Sequence, residues 1–337
     1  MGKSDIKSKN LMQNNRYFAD TINNGLFRGE RYVLPEDLTE LDTSEMVIIE
    51  DELNKNQYLQ KFRDVLKQAI IRKDGKAIYV IIGIENQTEV NYAMPVRSLL
   101  YDAMRYSKQV ENTARKHKEE RLRSGKVKSI AKSEFLSGCY KNDILMPVLT
   151  LTVFYSHKKW DGARSIHEMF SKDIDKELLE LIPDYKINIL EPYNIKDWDK
   201  FESDIGILFR LISLFNKKEE TEKLIKENPE KYRRVDNSVI EAINHYVKTN
   251  IKIDEESEET DMETAWEYSM NKAKNEGLLE GRQEGKEEGI LLGYSKLVTL
   301  YNWLKLMGRE NEAEEMMKEE NAALREKLLE EYDKITK

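Results

Sequence analysis

The chain has 337 residues, of which 39% are hydrophobic and 35% are charged, and its formal net charge at pH 7 is −8. That length suffices for one large domain or two small ones, and the acidic balance argues against indiscriminate nucleic-acid binding while leaving local basic patches open. A single cysteine, Cys139, excludes an internal disulfide and a cysteine-based zinc site.

The sequence also lacks the signals of membrane insertion and export. No apolar run approaches the roughly 20 residues that span a bilayer. The opening residues MGKSDIKSKN lack the apolar core of a signal peptide. We therefore expect a cytoplasmic protein without a membrane partner.

The first predicted elements are a helix and a short strand. Residues 11–27 carry apolar side chains at spacings that line one helical face, namely Tyr17, Phe18, Ile22 and Leu26. Residues 38–41 are a candidate short strand. A hairpin is predicted after a linking region that ends near residue 58.

Two apolar runs form this hairpin, joined by an Asp-Gly dipeptide at positions 74 and 75. The dipeptide favours a two-residue turn because both positions accept positive φ. Such a turn pairs Lys73 with Lys76, and counting outward places Asp64 opposite Glu85. Residues opposite each other in an antiparallel pair share a face, so the two carboxylates would lie within about 5 Å at Cβ. Like charges at that spacing repel unless a hard cation such as Mg²⁺ binds them, so we predict a metal site here.

The elements after the hairpin turn predict an α/β protein. The strand at residues 77–84 is apolar without alternation, which predicts that both of its faces are buried. Pro95 fits the first turn of a helix whose predicted apolar stripe is Val96, Leu99, Leu100, Ala103 and Met104. Further strands are predicted at residues 148–155 and 186–190. We expect an α/β core that ends near residue 195.

A basic stretch interrupts this core at residues 105–132. It contains ten Lys or Arg against three Glu, in a chain that is acidic overall. Such an asymmetry predicts a surface that contacts phosphates, while a solvated helix and loop is the alternative. The candidate DNA-binding residues are Arg115, Lys116, Lys118, Arg121, Arg123, Lys126 and Lys128.

The C-terminal part is predicted to be helical and charged. We divide the chain into a core at residues 1–195, a helical extension at 196–250, an acidic linker at 251–264 and a tail at 265–337. Glycines recur every four residues in the tail, at Gly277, Gly281, Gly285, Gly289 and Gly293. Glutamate directly precedes each of the first four. This spacing lets another helix approach, although a weakly helical spacer is the alternative. Later apolar residues of the tail predict self-association or partner binding.

The acids at the end of the hairpin suit a metal-dependent phosphodiesterase. Asp64 and Glu85 are hard-cation ligands, and the backbone carbonyl of Asn86 is a further candidate oxygen. Strand alternation places Gln87 on the face of Glu85, where it can hydrogen-bond the attacking water or a phosphate oxygen. Asp20 on the first helix is an additional candidate acid.

Several segments resemble the PD-(D/E)XK nuclease superfamily and, more narrowly, the Rpn family of recombination-promoting nucleases, also described as transposases. The resemblance covers most of the chain and is strongest at residues 14–170. A C-terminal glutamate-glycine repeat is also common in that family. The segments that carry the resemblance are NNRYFAD, RDVLK, GIENQTEV, YAMPVRSLLYDAMRY and LTLTVFYSHKKWDGARSIHEMF.

The resemblance implies a restriction-endonuclease-like core, a mixed sheet flanked by helices, that cleaves DNA with Mg²⁺ or another divalent cation such as Mn²⁺ or Ca²⁺. Position by position, Asp64, Glu85 and Gln87 correspond to the catalytic residues, with Asp64 and Glu85 as the metal ligands. Arg97, Tyr101 and Tyr106 correspond to residues that support the site or the substrate. Gln87 departs from the superfamily pattern, in which lysine is usual, and this departure bears on turnover more than on metal binding.

Two other functions remain open from the sequence. One is a catalytically weak or inactive protein that keeps the nuclease fold and acts by binding DNA or a protein partner. The other is a structural homo-oligomer organised by the C-terminal helix. The position of Asp64 relative to Glu85 is the feature on which the nuclease hypothesis depends most directly.

Overall fold

The computed structural model describes residues 3–50, 56–62, 64–124, 131–318 and 321–336. The chain divides into two compact units, Met1–Trp266 and Glu267–Lys337. The first unit is α/β and contains a five-stranded mixed sheet with helices around it. The expected α/β class is therefore confirmed.

Two helices stand where the sequence predicts one. They are α1 (Lys3–Gln13) and α2 (Asn15–Phe27). The side chain of Asn14 accepts a hydrogen bond from the backbone N–H of Arg16 and caps α2, so the chain turns between them. Lys67 is fully buried beside this break, and its ammonium donates to the Gln13 carbonyl and to the Asn15 side chain, both at 2.6 Å.

The first seven strands are β1 (Thr39–Glu40), β2 (Ser44–Glu50), β3 (Asn56–Phe62), β4 (Val65–Lys73), β5 (Lys76–Gln87), β6 (Val148–Phe154) and β7 (Asn188–Leu190). The five-stranded sheet has the strand order β1-β4-β5-β6-β7, and β2 and β3 form a separate antiparallel ribbon. Strands β4 and β5 are antiparallel, whereas β5, β6 and β7 are parallel neighbours.

The turn between β4 and β5 has the predicted geometry. Asp74 and Gly75 both have positive φ, at 50° and 72°. Lys73 pairs with Lys76, and the ladder continues without a slip to Val65 opposite Ile84. The predicted register is confirmed, because positive φ at both turn positions matches the twist of the flanking strands.

The burial predicted for β5 is wrong near the turn. Ile78 and Tyr79 are 51% and 55% exposed, and only from Val80 onward is the strand buried. The reason is sheet geometry: β6 pairs with β5 only from Ile81 onward. The turn end of the hairpin therefore extends beyond its neighbour and keeps its apolar side chains in solvent.

Helix α3 (Met94–Ser124) connects β5 to β6, and its predicted apolar stripe is only partly buried. Met104 is buried, whereas Val96 and Leu99 are 48% and 41% exposed. The sheet face beneath α3 carries polar residues, and Thr150 of β6 donates to Asp102 at 2.6 Å. Asp102 is therefore buried where it finds a hydrogen-bond partner, and part of the predicted stripe faces outward.

The rest of the first unit is mostly helical. The predicted helical extension is indeed helical, and Ile205, Leu208, Phe209 and Ile212 are buried in it. The segment predicted as an acidic linker contains a short strand, β9 (Glu259–Thr260), that pairs with β8 (Val235–Asp236). The remaining elements of this unit are α4 (Lys132–Ser137), α5 (Lys176–Leu181), α6 (Ile205–Ser213), α7 (Lys218–Glu227), α8 (Pro229–Tyr232), β8 (Val235–Asp236), α9 (Asn237–Tyr246), β9 (Glu259–Thr260) and 3-10 turns at Pro35–Asp37, His167–Met169 and Pro192–Asn194.

The second unit contains most of α10 (Met262–Leu306), with α11 (Glu310–Met316) and α12 (Ala322–Thr336). Its core consists of Leu300, Leu304, Ala313, Met316 and Leu328. Many of the apolar residues predicted to bind a partner are therefore used within the chain. At the five repeat glycines a Cβ would meet nothing within 4 Å, so no described helix approaches that stripe. Within the described residues, no helix has the length and apolar character needed to cross a membrane.

Candidate functional site

Asp64 and Glu85 lie at the same end of the β4–β5 hairpin. The ladder ends with Val65 opposite Ile84, so Asp64 directly precedes the paired part of β4 and Glu85 directly follows Ile84. The Oδ2 atom of Asp64 accepts a hydrogen bond of 2.8 Å from the backbone N–H of Asn86. This bond holds the Asp64 carboxylate against the backbone of the residue that follows Glu85.

Glu85 is fully buried and forms an ion pair with a residue of α3. Its side chain has 0% exposure, and its Oε2 atom accepts from the Arg97 guanidinium at 3.1 Å. Arg97 keeps 34% of its side chain exposed. A buried carboxylate needs such a compensating cation, because the interior solvates charge poorly. Arg97 therefore compensates the charge of the buried Glu85 carboxylate.

Tyr101 lies one helical turn after Arg97 and packs against it. The Arg97 guanidinium is 5.5 Å from the centre of the Tyr101 ring. Burial opposes the charged form of Arg97, but Glu85, Tyr101 and Asp64 together outweigh it and raise the pKa of the guanidinium. Burial and the charge of Glu85 raise the pKa of the Tyr101 hydroxyl. Arg97 and Tyr101 thus experience the charges of both candidate ligands, Asp64 and Glu85.

Gln87 ends β5 next to these acids. It is half-buried and, by alternation, shares the face of Glu85. Its backbone carbonyl accepts from the N–H of Tyr155 at 2.8 Å, which fixes the backbone at the strand end. Asn86 points to the other face, where its buried side-chain amide has no hydrogen-bond partner among the described residues.

Asp20 does not join Asp64 and Glu85. Helix α2 packs on the sheet face that carries Leu151, since a Cβ on Gly25 would lie 2.7 Å from the Leu151 side chain. Glu85 pairs with Thr152 and belongs to the other face. The Asp20 carboxylate instead accepts from the backbone N–H and hydroxyl of Ser203, both through Oδ2, at 2.8 and 2.5 Å.

The hydrogen bonds of Asp20 serve to hold the chain before α6. Its Oδ1 atom accepts from the Asn24 side chain at 2.9 Å and from the Glu202 backbone N–H at 3.3 Å. Burial raises the pKa of this carboxyl group, and the hydrogen bonds only partly offset that effect. Asp20 therefore fastens α2 to the segment that leads into the helical extension.

Tyr106 is also remote from the carboxylates. Its hydroxyl accepts from the backbone N–H of Val148, where β6 begins. It follows Arg97 by nine residues, which is about 13 Å along a helix. Tyr106 positions β6 against α3 and does not reach the end of the hairpin that carries Glu85.

The sequence analysis missed polar partners that α3 and β6 bring together. Asp102 accepts from Thr150 and from the Tyr185 hydroxyl, both at 2.6 Å. Thr152, directly opposite Glu85, is buried, and its hydroxyl has no hydrogen-bond partner within the part of the chain that the structure describes. The signal was present in the alternation of threonines in LTLTVF, which places two hydroxyls on one strand face.

The donor types at the hairpin end fit a hard divalent cation. Two carboxylates, a backbone carbonyl and the Gln87 amide are oxygen donors of the kind that Mg²⁺ accepts. Within residues 3–50, 56–62, 64–124, 131–318 and 321–336, no three His, Cys, Asp or Glu are grouped to hold a metal. Mg²⁺ commonly uses one or two carboxylates and completes its shell with water and substrate phosphate. A cation bound by Glu85 would compete with Arg97 for the same carboxylate.

The basic stretch extends along the second half of α3. Arg115, Lys116, Lys118 and Arg123 are exposed, and Arg121 is half-buried with its guanidinium 5.8 Å from the Phe135 ring. Helical spacing places Arg115, Lys116 and Arg123 within roughly 100° of one another around the axis, with Lys118 and Arg121 on another side. Lys126 and Lys128 lie outside the described residues.

A clamp of three residues fixes the connection after this stretch against α3. His117 bonds to Asp143 at 2.9 Å and stacks on Tyr140 with ring centres 3.7 Å apart. The pKa of the Asp143 carboxyl group is lowered, mostly by the hydrogen bond from the Tyr140 backbone N–H and to a smaller extent by the bond to the His117 side chain. The clamp therefore holds the segment that leads to β6 against α3, and the basic side chains of the helix take no part in it.

Comparisons of this chain with models of protein families, with curated proteins and with solved structures found no match. The residues and their geometry are therefore the basis for a proposed function. Its central feature is the pair Asp64 and Glu85 with Arg97 beside it.

Proposed function

We propose that this protein is a metal-dependent DNA endonuclease with a restriction-endonuclease-like core, acting in DNA recombination or in the movement of mobile elements. One observation carries the proposal. Asp64 and Glu85 adjoin the last pair of the β4–β5 ladder, where Asn86 donates to Asp64 and Arg97 donates to Glu85. Two carboxylates in one place are unfavourable alone and become favourable around a divalent cation.

Each residue at this end of the hairpin has a part in the proposed reaction. A divalent cation held by Asp64 and Glu85 would acidify a water and stabilise charge on the phosphate. The backbone N–H of Asn86 holds the Asp64 carboxylate in place. Arg97 positions Glu85, and 34% of its side chain is exposed, so that a phosphate can approach it. Gln87 orients the water or a phosphate oxygen through its amide.

The exposed cations of α3 supply a surface for the DNA backbone. Arg115, Lys116 and Arg123 share one side of the helix, so they can follow one run of phosphates. Such contacts position a duplex without reading its sequence. This surface supports DNA as the partner and leaves recognition of a particular site to other residues.

A second candidate function is favoured by the burial of Glu85. Its side chain is fully buried and already paired with Arg97, and no third acid joins it among the described residues. A protein that uses Glu85 only as an internal ion pair would keep the fold and bind DNA or a partner without cutting. Separate assays of DNA hydrolysis and of DNA binding distinguish these two functions.

Plasmid cleavage tests the proposal. We expect purified protein to nick supercoiled plasmid with Mg²⁺ or Mn²⁺ and not with excess chelator. Asp64→Asn and Glu85→Gln should each lower the rate by about a hundredfold or more, because they remove metal ligands. Asp37→Asn is the matched control, since Asp37 lies in the 3-10 turn Pro35–Asp37 and pairs at 2.8 Å with Arg72, near the turn end of the hairpin.

The result has a clear reading. Unchanged cutting by the two site variants would show that a contaminant or another site is responsible. Absence of cutting by folded wild-type protein that still binds DNA would select the second function. Thermal unfolding of every variant is measured in parallel, so that a loss of activity is not a loss of fold.

A further inference from the structure

A cavity of about 250 Å³ lies in the helical extension and shares no residue with the hairpin site. It is bounded by the segment before α6, by α6 itself and by the α7–α8 region. Part of its wall is apolar, formed by Ile207, Leu224 and the ring of Tyr232. The volume is slightly below the usual range of pockets for drug-sized ligands, which suits a single nucleotide better than a dinucleotide.

The polar part of the wall is positively charged. Lys196, Arg210 and Lys231 line the cavity, and none of the three has an acidic partner within 4.0 Å in the part of the chain that the structure describes. Two acids, Asp197 and Asp199, also line it, and Asp197 lies 3.9 Å from Lys200. Three cations against two acids, one of which faces another lysine, favour an anionic ligand.

Arg210 is held ready for such a ligand. Its guanidinium lies 4.9 Å from the centre of the Trp198 ring, and Trp198 in turn stacks on Phe201. A guanidinium held over an aromatic ring loses little further freedom when it binds phosphate through two of its donors. Burial raises the pKa of the Tyr232 hydroxyl, and the positive charge of Arg210 partly opposes this effect, so these two residues of the cavity wall lie within electrostatic reach of each other.

We infer that this cavity binds the 5′-monophosphate of a nucleotide, with the phosphate at Arg210 and Lys231 and the nucleoside against the apolar wall. The apolar wall distinguishes the ligand from inorganic phosphate, which has no group to place there. The nucleotide can be free or can be the 5′ end of a DNA strand, because both carry the same phosphate and nucleoside. The inference is independent of cleavage at Asp64 and Glu85.

Calorimetric titration of the full chain in excess chelator tests this inference. We expect deoxyadenosine 5′-monophosphate to bind with one site per chain, and deoxyadenosine and inorganic phosphate each to bind at least about tenfold more weakly. Arg210→Gln should weaken binding about tenfold or more, as expected for the loss of charge-assisted hydrogen bonds. Arg233→Gln is the matched control, because Arg233 follows α8 and pairs with Glu230 outside the cavity.

Lys231→Gln supplies a second variant, since this exposed side chain can change without loss of the fold. Equal affinity for deoxyadenosine, equal affinity for inorganic phosphate, or unchanged binding in both folded variants would each overturn the inference. A 5′-phosphorylated oligonucleotide is compared with its 5′-hydroxyl form. Tighter binding of the phosphorylated strand than of its 5′-hydroxyl form, with the difference lost in Arg210→Gln, identifies a strand end as the source, and equal binding of the two strands identifies a free nucleotide.

Discussion

Two buried acids, Glu85 and Asp20, belong to opposite sides of the five-stranded sheet and are held by different kinds of partner. Glu85 faces a guanidinium at 3.1 Å, whereas Asp20 accepts only from neutral donors of Asn24, Glu202 and Ser203. A cation can replace another cation at Glu85. At Asp20, a metal would have to displace hydrogen bonds that fasten the fold. Glu85 is therefore suited to bind an exchangeable cation, whereas Asp20 serves to hold the fold together.

The largest expected effect comes from removing the cation beside Glu85. Arg97→Met leaves a carboxylate buried without its ion-pair partner, and such a loss costs about 3–5 kcal/mol of unfolding free energy. Because Arg97 keeps 34% of its side chain exposed, we expect the lower end, about 3 kcal/mol. Denaturant unfolding measures it. The double variant Arg97→Met with Glu85→Met should recover most of the loss, and its failure to do so would place the role of Arg97 outside this pair.

Divalent metal should separate the two acids by a smaller amount. Mg²⁺ at ten times its dissociation constant should raise the unfolding free energy by about 1.4 kcal/mol, because it binds only the folded state. The rise should disappear in Asp64→Asn and persist in Asp20→Asn. Calorimetric melting with and without Mg²⁺ measures it. If Asp20→Asn removes the rise while Asp64→Asn keeps it, the ligands have been assigned to the wrong side of the sheet.

The pH dependence of stability gives the smallest signal. Burial raises the pKa of Asp20, so the folded state holds its proton more tightly than the unfolded state. Stability from this group is therefore fully present below about pH 4 and is lost as pH rises through the raised pKa. Asp20→Asn should remove that loss. The unfolding free energy of the variant should therefore rise relative to that of the wild type from pH 4 to pH 7. A constant difference over this range would contradict the assignment. Unfolding curves at matched pH measure it.

The local chemistry of the chain was sufficient to predict the hairpin. Asp74 and Gly75 determine a turn through their own backbone preferences, and a two-residue turn determines the pairing of every residue out to Val65 and Ile84. Strand β6 was predictable for a similar reason, because its apolar run follows Pro147 and is bounded on both sides. These elements depend on neighbours in sequence.

Predictions that depended on distant partners were less accurate. Part of the stripe predicted on α3, Val96 and Leu99, faces outward, because Asp102 is buried with Thr150 and Tyr185 instead. Asp20 lies across the sheet from Glu85, since α2 packs against the Leu151 face. The apolar residues of the tail found partners within α10, α11 and α12. Each of these outcomes was decided by which surface the element meets.

The sequence alone determined the turn and the register as far as Val65 opposite Ile84, because backbone preferences at two residues act locally. Only the tertiary structure decided that Arg97 compensates the charge of Glu85, that Asp20 binds Ser203, and that Arg210 lies on Trp198 beside a cavity. The physical reason is that a buried charge or hydrogen bond must be satisfied by whatever group packing brings near it, and that group is often far away in sequence.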